Sequence, residues 1–166
     1  LLTYQIPLIK EVTPEFLEYV FSAEAIGNKL HVTPKEECNW LCVMLDYDGS
    51  VEYSLTKGES RISGILSPSF TSGRLSYYRL ILSPNDNVQN VEVEIPVSTR
   101  YALLVPQGTS YEATVYNTDG TIYARFDQTG TIEFYEYDVL GRLLRQTDAF
   151  DNVLKSNLYN TLKDEF

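Results

Sequence analysis

Apolar and polar positions alternate at a period of two over most of this chain, which predicts β-strands separated by short polar turns. Lys29 to Thr33 alternates in this way, Pro34 to Glu37 reads as a turn, and Cys38 to Leu45 reads as a second strand. That second strand is apolar on both faces, with Cys38, Trp40, Cys42 and Met44 on one side and Leu41, Val43 and Leu45 on the other. Such a strand is expected in the middle of a sheet covered from both sides. Asp46-Tyr47-Asp48-Gly49 closes it with a turn, and strands are expected again at Val51 to Leu55, Arg61 to Leu66, Leu75 to Leu82 and Val88 to Val97. Ser83-Pro84-Asn85-Asp86-Asn87 is a strong turn between the last two. Upstream the signals conflict. Leu1 to Lys10 suits an edge strand or an extended linker, interrupted by Pro7. Thr13-Pro14-Glu15 has the spelling of a helix start, whereas Phe16 to Phe21 alternates like a strand, so residues 14–25 stay open between the two with a lean to strand.

From Tyr111 onward a repeat is visible. Tyr116-Asn117-Thr118-Asp119-Gly120-Thr121-Ile122 is echoed by Tyr137-Asp138-Val139-Leu140-Gly141-Arg142-Leu143, 137 − 116 = 21 residues later. A half-period copy, Phe126-Asp127-Gln128-Thr129-Gly130-Thr131-Ile132, lies between them. Asp or Asn at the first position of a type I turn bonds back to the backbone, and Gly three residues on takes positive φ, so each unit predicts a hairpin loop. The runs between loops, Tyr111 to Tyr116, Thr121 to Phe126, Thr131 to Tyr137, Arg142 to Thr147 and Val153 to Tyr159, then form a five-stranded antiparallel meander. Ile122, Ala124 and Phe126 alternate with Tyr123 and Arg125. One face of such a meander needs cover, and it is expected to dock through Ile122, Phe126, Ile132 and Phe134.

Tyr137, Asp138, Gly141, Arg142, Leu143, Thr147, Asp148, Asn152 and Tyr159 resemble the YD repeat of rearrangement-hotspot (RHS) proteins, with Asp151 standing where that pattern usually has Gly. The resemblance implies a β-hairpin array of the kind that family uses in toxin-enclosing shells and surface stalks; two repeats are too few to enclose anything. The strand spacing of roughly residues 12 to 98 reads as an immunoglobulin-like β-sandwich. Phe16 to Phe21, Ser22-Ala23-Glu24-Ala25-Ile26-Gly27 and Cys38-Asn39-Trp40 resemble the opening of the Bacteroidetes-associated carbohydrate-binding (BACON) domain, an immunoglobulin-like module of secreted glycan-handling proteins. The expected fold class is therefore all-β, an immunoglobulin-like sandwich over residues 1–98 followed by a YD-like meander over residues 99–166. Tyr101 to Val105 is apolar and suits the sandwich sheet equally well, so one continuous domain is the alternative.

Composition narrows the function. The 166 residues carry a formal charge of −10, 43% hydrophobic residues and 13 Tyr. This is the composition of a β-rich globular protein, and without clustered Lys and Arg it excludes a nucleic-acid partner. No apolar run of about eighteen residues is present, so no membrane-spanning helix is expected. The chain starts at Leu1 without Met, consistent with a cleaved leader or a trimmed fragment, and the expected location is extracytoplasmic. Cys38 and Cys42 would sit roughly 13 Å apart on an extended strand, at about 3.3 Å per residue, beyond disulfide reach, and are expected as buried free thiols.

Candidate chemistry is sparse. One His and two Cys do not make a zinc set, and His31 reads as a surface or half-buried residue. Asp46-Tyr47-Asp48-Gly49 lacks the later ligands of a calcium loop, since position 55 is Leu. Glu92 and Glu94 alternate with Val91, Val93 and Ile95 and read as a solvent face; Glu133 and Glu136 likewise lack the cleft a glycosidase needs. Trp40, flanked by Cys38, Cys42 and Met44, reads as core. Tyr77 with Tyr78, and Tyr123 with Tyr135, are the candidate binding platforms; the competing expectation for both pairs is cross-strand aromatic packing. No cofactor, metal or catalytic residue is expected. The expected function is a noncatalytic secreted or cell-surface module that binds a glycan or another surface protein, or a structural spacer of a larger repeat-containing protein.

Overall fold

The computed structural model describes residues 5–6, 24–26, 29–34, 39–82, 87–96, 99–108 and 110–159. Among these every regular element is a strand: β1 (Gln5–Ile6), β2 (Glu24–Ile26), β3 (Lys29–Val32), β4 (Trp40–Leu45), β5 (Val51–Lys57), β6 (Ser60–Leu66), β7 (Phe70–Ser72), β8 (Leu75–Leu80), β9 (Asn90–Glu94), β10 (Tyr101–Pro106), β11 (Glu112–Tyr116), β12 (Ile122–Asp127), β13 (Ile132–Tyr137), β14 (Leu143–Asp148) and β15 (Val153–Ser156). The protein is all-β, as its alternation requires. Residues 14–23, Cys38 and most of the Pro34 to Glu37 turn lie outside the described residues.

The strands form three sheets, ordered β2-β3-β9-β5-β6, β10-β4-β8-β7 and β1-β11-β12-β13-β14-β15. All pairings are antiparallel except β1 with β11. The chain crosses the division at residue 98 twice. Tyr101–Pro106 pairs along its whole length with β4, and Gln5–Ile6 adds to the edge of the C-terminal sheet.

The β10-β4-β8-β7 sheet is the middle layer. Trp40, Cys42, Val43, Met44 and Leu45 are all buried, as are all six residues of β10, so both faces of this sheet are covered. Strand alternation assigns the covers. Trp40, Cys42, Met44 and Tyr78 face one way, toward the buried Leu30, Val32, Val51, Leu55, Val91 and Val93 of the first sheet. Tyr77 and Tyr101 face the other way, where Tyr101 meets Phe126 of β12 edge-on with ring centroids 5.7 Å apart. Phe126, Ile132 and Phe134 are buried in one continuous core with residues of the other two sheets, and Ile122 is half-buried. Burial pushes the Cys42 thiol up to about 12, so it stays protonated and inert in the middle layer.

Strands β11 to β15 are joined by four turns of one design. The N–H of Asn117, Asp127, Asp138 and Asp148 donates to the carbonyl of Thr121, Thr131, Arg142 and Asn152, and their own carbonyls accept from Gly120, Gly130, Gly141 and Asp151. Those last four residues are left-handed, with φ of 88°, 82°, 78° and 62°. Asp replaces Gly at the fourth turn because its short side chain tolerates this region better than most. The carboxylate of Asp138 accepts from the N–H of Leu140 and of Arg142, and that of Asp148 accepts from Phe150 and Asn152. In the first turn Asp119 takes this part, accepting from the Thr121 N–H and hydroxyl.

These bonds hold three carboxyls below the usual carboxylate range: Asp119 chiefly through the Thr121 side chain, Asp138 through the Arg142 backbone N–H, and Asp148 through the Asn152 side chain. A depressed folded pKa contributes stability that is present above the unfolded value near 3.9 and is lost as pH falls through the folded midpoint. Carboxyl NMR titration is therefore expected to place the midpoints of Asp119, Asp138 and Asp148 below about 3.9, with the hairpin amides losing protection only under more acid conditions. Midpoints at or above that value would contradict the turn geometry.

The repeat in the turns is not matched in the core. Twenty-one residues after Phe126, Ile132 and Phe134 stand Thr147, Val153 and Lys155. Thr147 of β14 is still buried, but beyond it the sheet runs off the core, leaving Val153 and Leu154 half-exposed and Phe150 open.

Candidate functional site

The four tyrosines singled out by the sequence occupy different surroundings. Tyr77 and Tyr78, as neighbours on β8, point into opposite layers. Tyr77 is 3% exposed and its ring stacks on Phe70 with centroids 4.3 Å apart and planes 11° apart. Tyr78 is fully buried and its hydroxyl donates to the Gly49 carbonyl at 2.8 Å. Burial pushes the Tyr78 phenol up to about 12 and raises that of Tyr77.

Tyr123 owes its position to a bulge. Val115 pairs with Ala124 but Tyr116 pairs with Ile122, so Tyr123 is the extra residue. Instead of following Arg125 to the outer face, it lies edge-on to Phe134 at 5.7 Å, against the middle sheet. There it joins a cationic cluster. Arg74, in the turn between β7 and β8, forks onto Asp46 at 2.5 and 2.6 Å, donates to the Tyr123 hydroxyl, and lies 4.1 Å over the Phe134 ring. Arg100 covers the Tyr123 ring at 4.3 Å and donates to Asn117 at 3.2 Å. The Asp46 bond is the chief cause of a rise in the Arg74 pKa, which keeps the guanidinium charged at any ordinary pH.

Tyr135 sits on the outer face of the meander, half-buried. Its hydroxyl donates to Glu133 Oε2 at 3.0 Å, the same oxygen accepts from Gln146 at 2.8 Å, and Arg125 lies 5.9 Å from the ring centroid. Burial first, then the Glu133 bond, raises its phenol pKa. The candidate pairs therefore form no shared platform: three of the four rings are built into the contact between layers, and Tyr135 stands in its own polar network.

Other polar groups are distributed over the outer face of the first sheet. His31 is half-buried with Nε2 3.1 Å from Asn90 Oδ1. Glu92 accepts from Arg61 at 2.7 Å and from the Ser54 hydroxyl at 3.3 Å. Glu92, Arg61 and Ser54, with Lys29, Glu52 and Ser63, border an open groove of about 470 Å³. Among the described residues no three His, Cys, Asp or Glu side chains lie close enough to hold a metal ion, and no helix is long and apolar enough to cross a membrane.

Sequence reasoning missed Arg74 and Arg100. The available signal was local: Arg74 follows Gly73, whose φ of 58° makes the tight turn that aims the guanidinium at the meander. Comparison with known proteins found no matching family model, no matching curated protein and no matching solved structure.

Proposed function

We propose that this chain is a noncatalytic structural segment of a larger extracytoplasmic protein, a rigid spacer in which an immunoglobulin-like sandwich carries a YD-like hairpin meander. The observation that carries this reading is the way the aromatic side chains are used. Tyr101 and Tyr111 both pack edge-on against Phe126, at 5.7 and 6.2 Å, and Tyr123 against Phe134. A glycan-binding surface calls for exposed, coplanar rings beside polar groups; a spacer calls for rings that join the layers into one body. The Arg74 and Arg100 contacts support the same reading, because they tie the meander to the middle sheet and hold the Tyr123 ring and hydroxyl in contacts within the chain.

The test is thermal unfolding in the presence of polysaccharides and mucin glycans, followed together by Trp40 fluorescence and far-UV circular dichroism. One coincident transition, unmoved by any glycan, is expected. A ligand at a hundred times its dissociation constant would add about 2.7 kcal/mol, a rise of roughly 5 to 10 °C for a chain of this size. A rise of that order with one glycan, or two separate transitions, would overturn the spacer reading.

A further inference from the structure

The six sheet edges of the described residues differ in how they are guarded. An open edge presents unpaired N–H and C=O groups, and proteins ordinarily blunt it with short strands, Lys, Pro, bulges or cover. Strands β1, β2 and β7 have two, three and three residues. Strand β15 carries Lys155 and a register shift against β14. Strand β10 is buried throughout and ends at Pro106. Strand β6 has none of these devices beyond the single charge of Arg61, which is paired with Glu92. It runs for seven residues, Ser60-Arg61-Ile62-Ser63-Gly64-Ile65-Leu66, in unbroken register with β5, is largely exposed, and contains neither Lys nor Pro.

Its polarity is ordered for pairing. The two-residue loop Gly58-Glu59 is closed by Lys57 and Ser60, so the hydrogen-bonded pairs alternate from there and the backbones of Arg61, Ser63 and Ile65 point outward from the edge. On the inner face of the sheet Ile62 is 44% exposed, and Gly64 leaves its space to the Tyr53 ring, which a Cβ there would meet at 2.8 Å. On the outer face Arg61, Ser63 and Ile65 open onto the groove that Glu52, Glu92 and Glu94 border. Arg61 is paired with Glu92, Lys29 stands opposite Glu94, and Glu52 stands opposite Ile65, leaving one carboxylate in excess beside the edge.

We propose that β6 is a strand-addition site for an extended segment of a partner protein, apolar at alternate positions and basic at the positions between. The apolar side chains would lie beside Ile62 and Tyr53, and the basic ones would reach over Ser63 and Ile65 toward Glu52. The formal charge of −10 argues for a basic partner over a second copy of this chain, which would bring equal negative charge to the contact.

The experiment uses the full chain and an alternating valine–lysine octapeptide, blocked at both ends, with the valine–glutamate octapeptide as the control. Amide resonances are followed by NMR during titration. Saturable shifts centred on residues 60–66 are expected with the lysine peptide alone. Ser63→Pro removes an outward N–H without touching the β5 ladder, and Ile65→Lys places a charge on the edge. Each is expected to weaken the lysine peptide at least about tenfold, while the Ile65→Lys protein keeps the native spectrum elsewhere. The proposal is overturned if no binding saturates at millimolar peptide, if Ile65→Lys binds as well as the native chain, or if the glutamate peptide binds equally. It is equally overturned if residues 60–66 instead mediate self-association without peptide.

Discussion

Truncation of Phe126 to alanine is expected to destabilise the protein by about 3 to 5 kcal/mol, a large share of the roughly 5 to 15 kcal/mol that holds a domain together. Phe126 is 3% exposed and is the one ring that both Tyr101 and Tyr111 approach edge-on. Removing it leaves a void bounded by two phenol rings and forfeits two aromatic pairs, which places the loss toward the upper part of that range. Trp40 is the single tryptophan and lies on the other face of the middle sheet, so its fluorescence senses Phe126 only through cooperative unfolding. The midpoint reported by Trp40 is expected to fall by about 10 °C together with the circular dichroism signal, at roughly 2 to 4 °C per kcal/mol. A Trp40 transition that stays in place while strand signal is lost early would mean that the meander unfolds separately, and the single core would have to be abandoned. Phe126→Leu, which keeps most of the volume, is expected to cost much less.

What could be read in the sequence is what depends on neighbours along the chain. The doubly apolar run ending at Leu45 was legible as a covered central strand because both of its faces repeat the same message over several residues. The turns were legible because Asp or Asn and a left-handed residue three positions on satisfy each other locally. Strand β7 was not legible: Phe70–Ser72 is too short to show a period, and it is a strand through its pairing with β8, where the Phe70 ring lies on Tyr77. Nor was the placement of Tyr123. Alternation put it with Arg125 on the outer face, and only a bulge, which reflects pairing with Tyr116, turned it inward. The apolar stretch after residue 100 suited either sheet, and its pairing with β4 rests on complementarity that no local pattern encodes. The candidate tyrosines illustrate the same limit. A tyrosine on a strand is spelled identically whether its ring is a platform or a wedge between layers, and the distinction comes from partners distant in sequence.

Strands β1 and β10 each belong to a sheet built mainly from the other half of the sequence, so neither half closes its own sheets alone. The parallel β1 to β11 pairing spans most of the chain and is the kind of contact that forms late, after the local hairpins are in place. The meander hairpins, by contrast, are closed by turns that begin ten or eleven residues apart, at Asn117, Asp127, Asp138 and Asp148, and need only those turns. Joining these slow and fast pieces falls to side chains at the contact, Phe126 on the apolar side and Arg74 on the polar side.

Replacing Arg74 with alanine is expected to cost about 1 to 2 kcal/mol in urea unfolding. Charged hydrogen bonds contribute roughly 1.5 to 3 kcal/mol, and that figure is discounted here because the guanidinium is 43% exposed and solvent screens the pair. The loss has three parts. Asp46, 26% exposed at its side chain, loses its fork; the Tyr123 hydroxyl loses a donor; and the Phe134 ring loses the cation lying 4.1 Å from its centroid. Lysine in place of Arg74 is not expected to restore the native midpoint, because a point charge cannot fork onto both carboxylate oxygens and cover a ring at the same time. A double-mutant cycle with Asp46→Ala should return a coupling of about 1 kcal/mol, whereas Arg74 and the remote Arg145, which pairs with Glu136 instead, should be additive within about 0.5 kcal/mol. If the lysine variant proves as stable as the native protein, the cluster is a loose surface pairing and the meander is held by its apolar contacts alone. If the coupling to Asp46 appears and lysine fails, the fork is what fixes the turn between β7 and β8 against the meander, and Arg74 joins two sheets that share no backbone pairing.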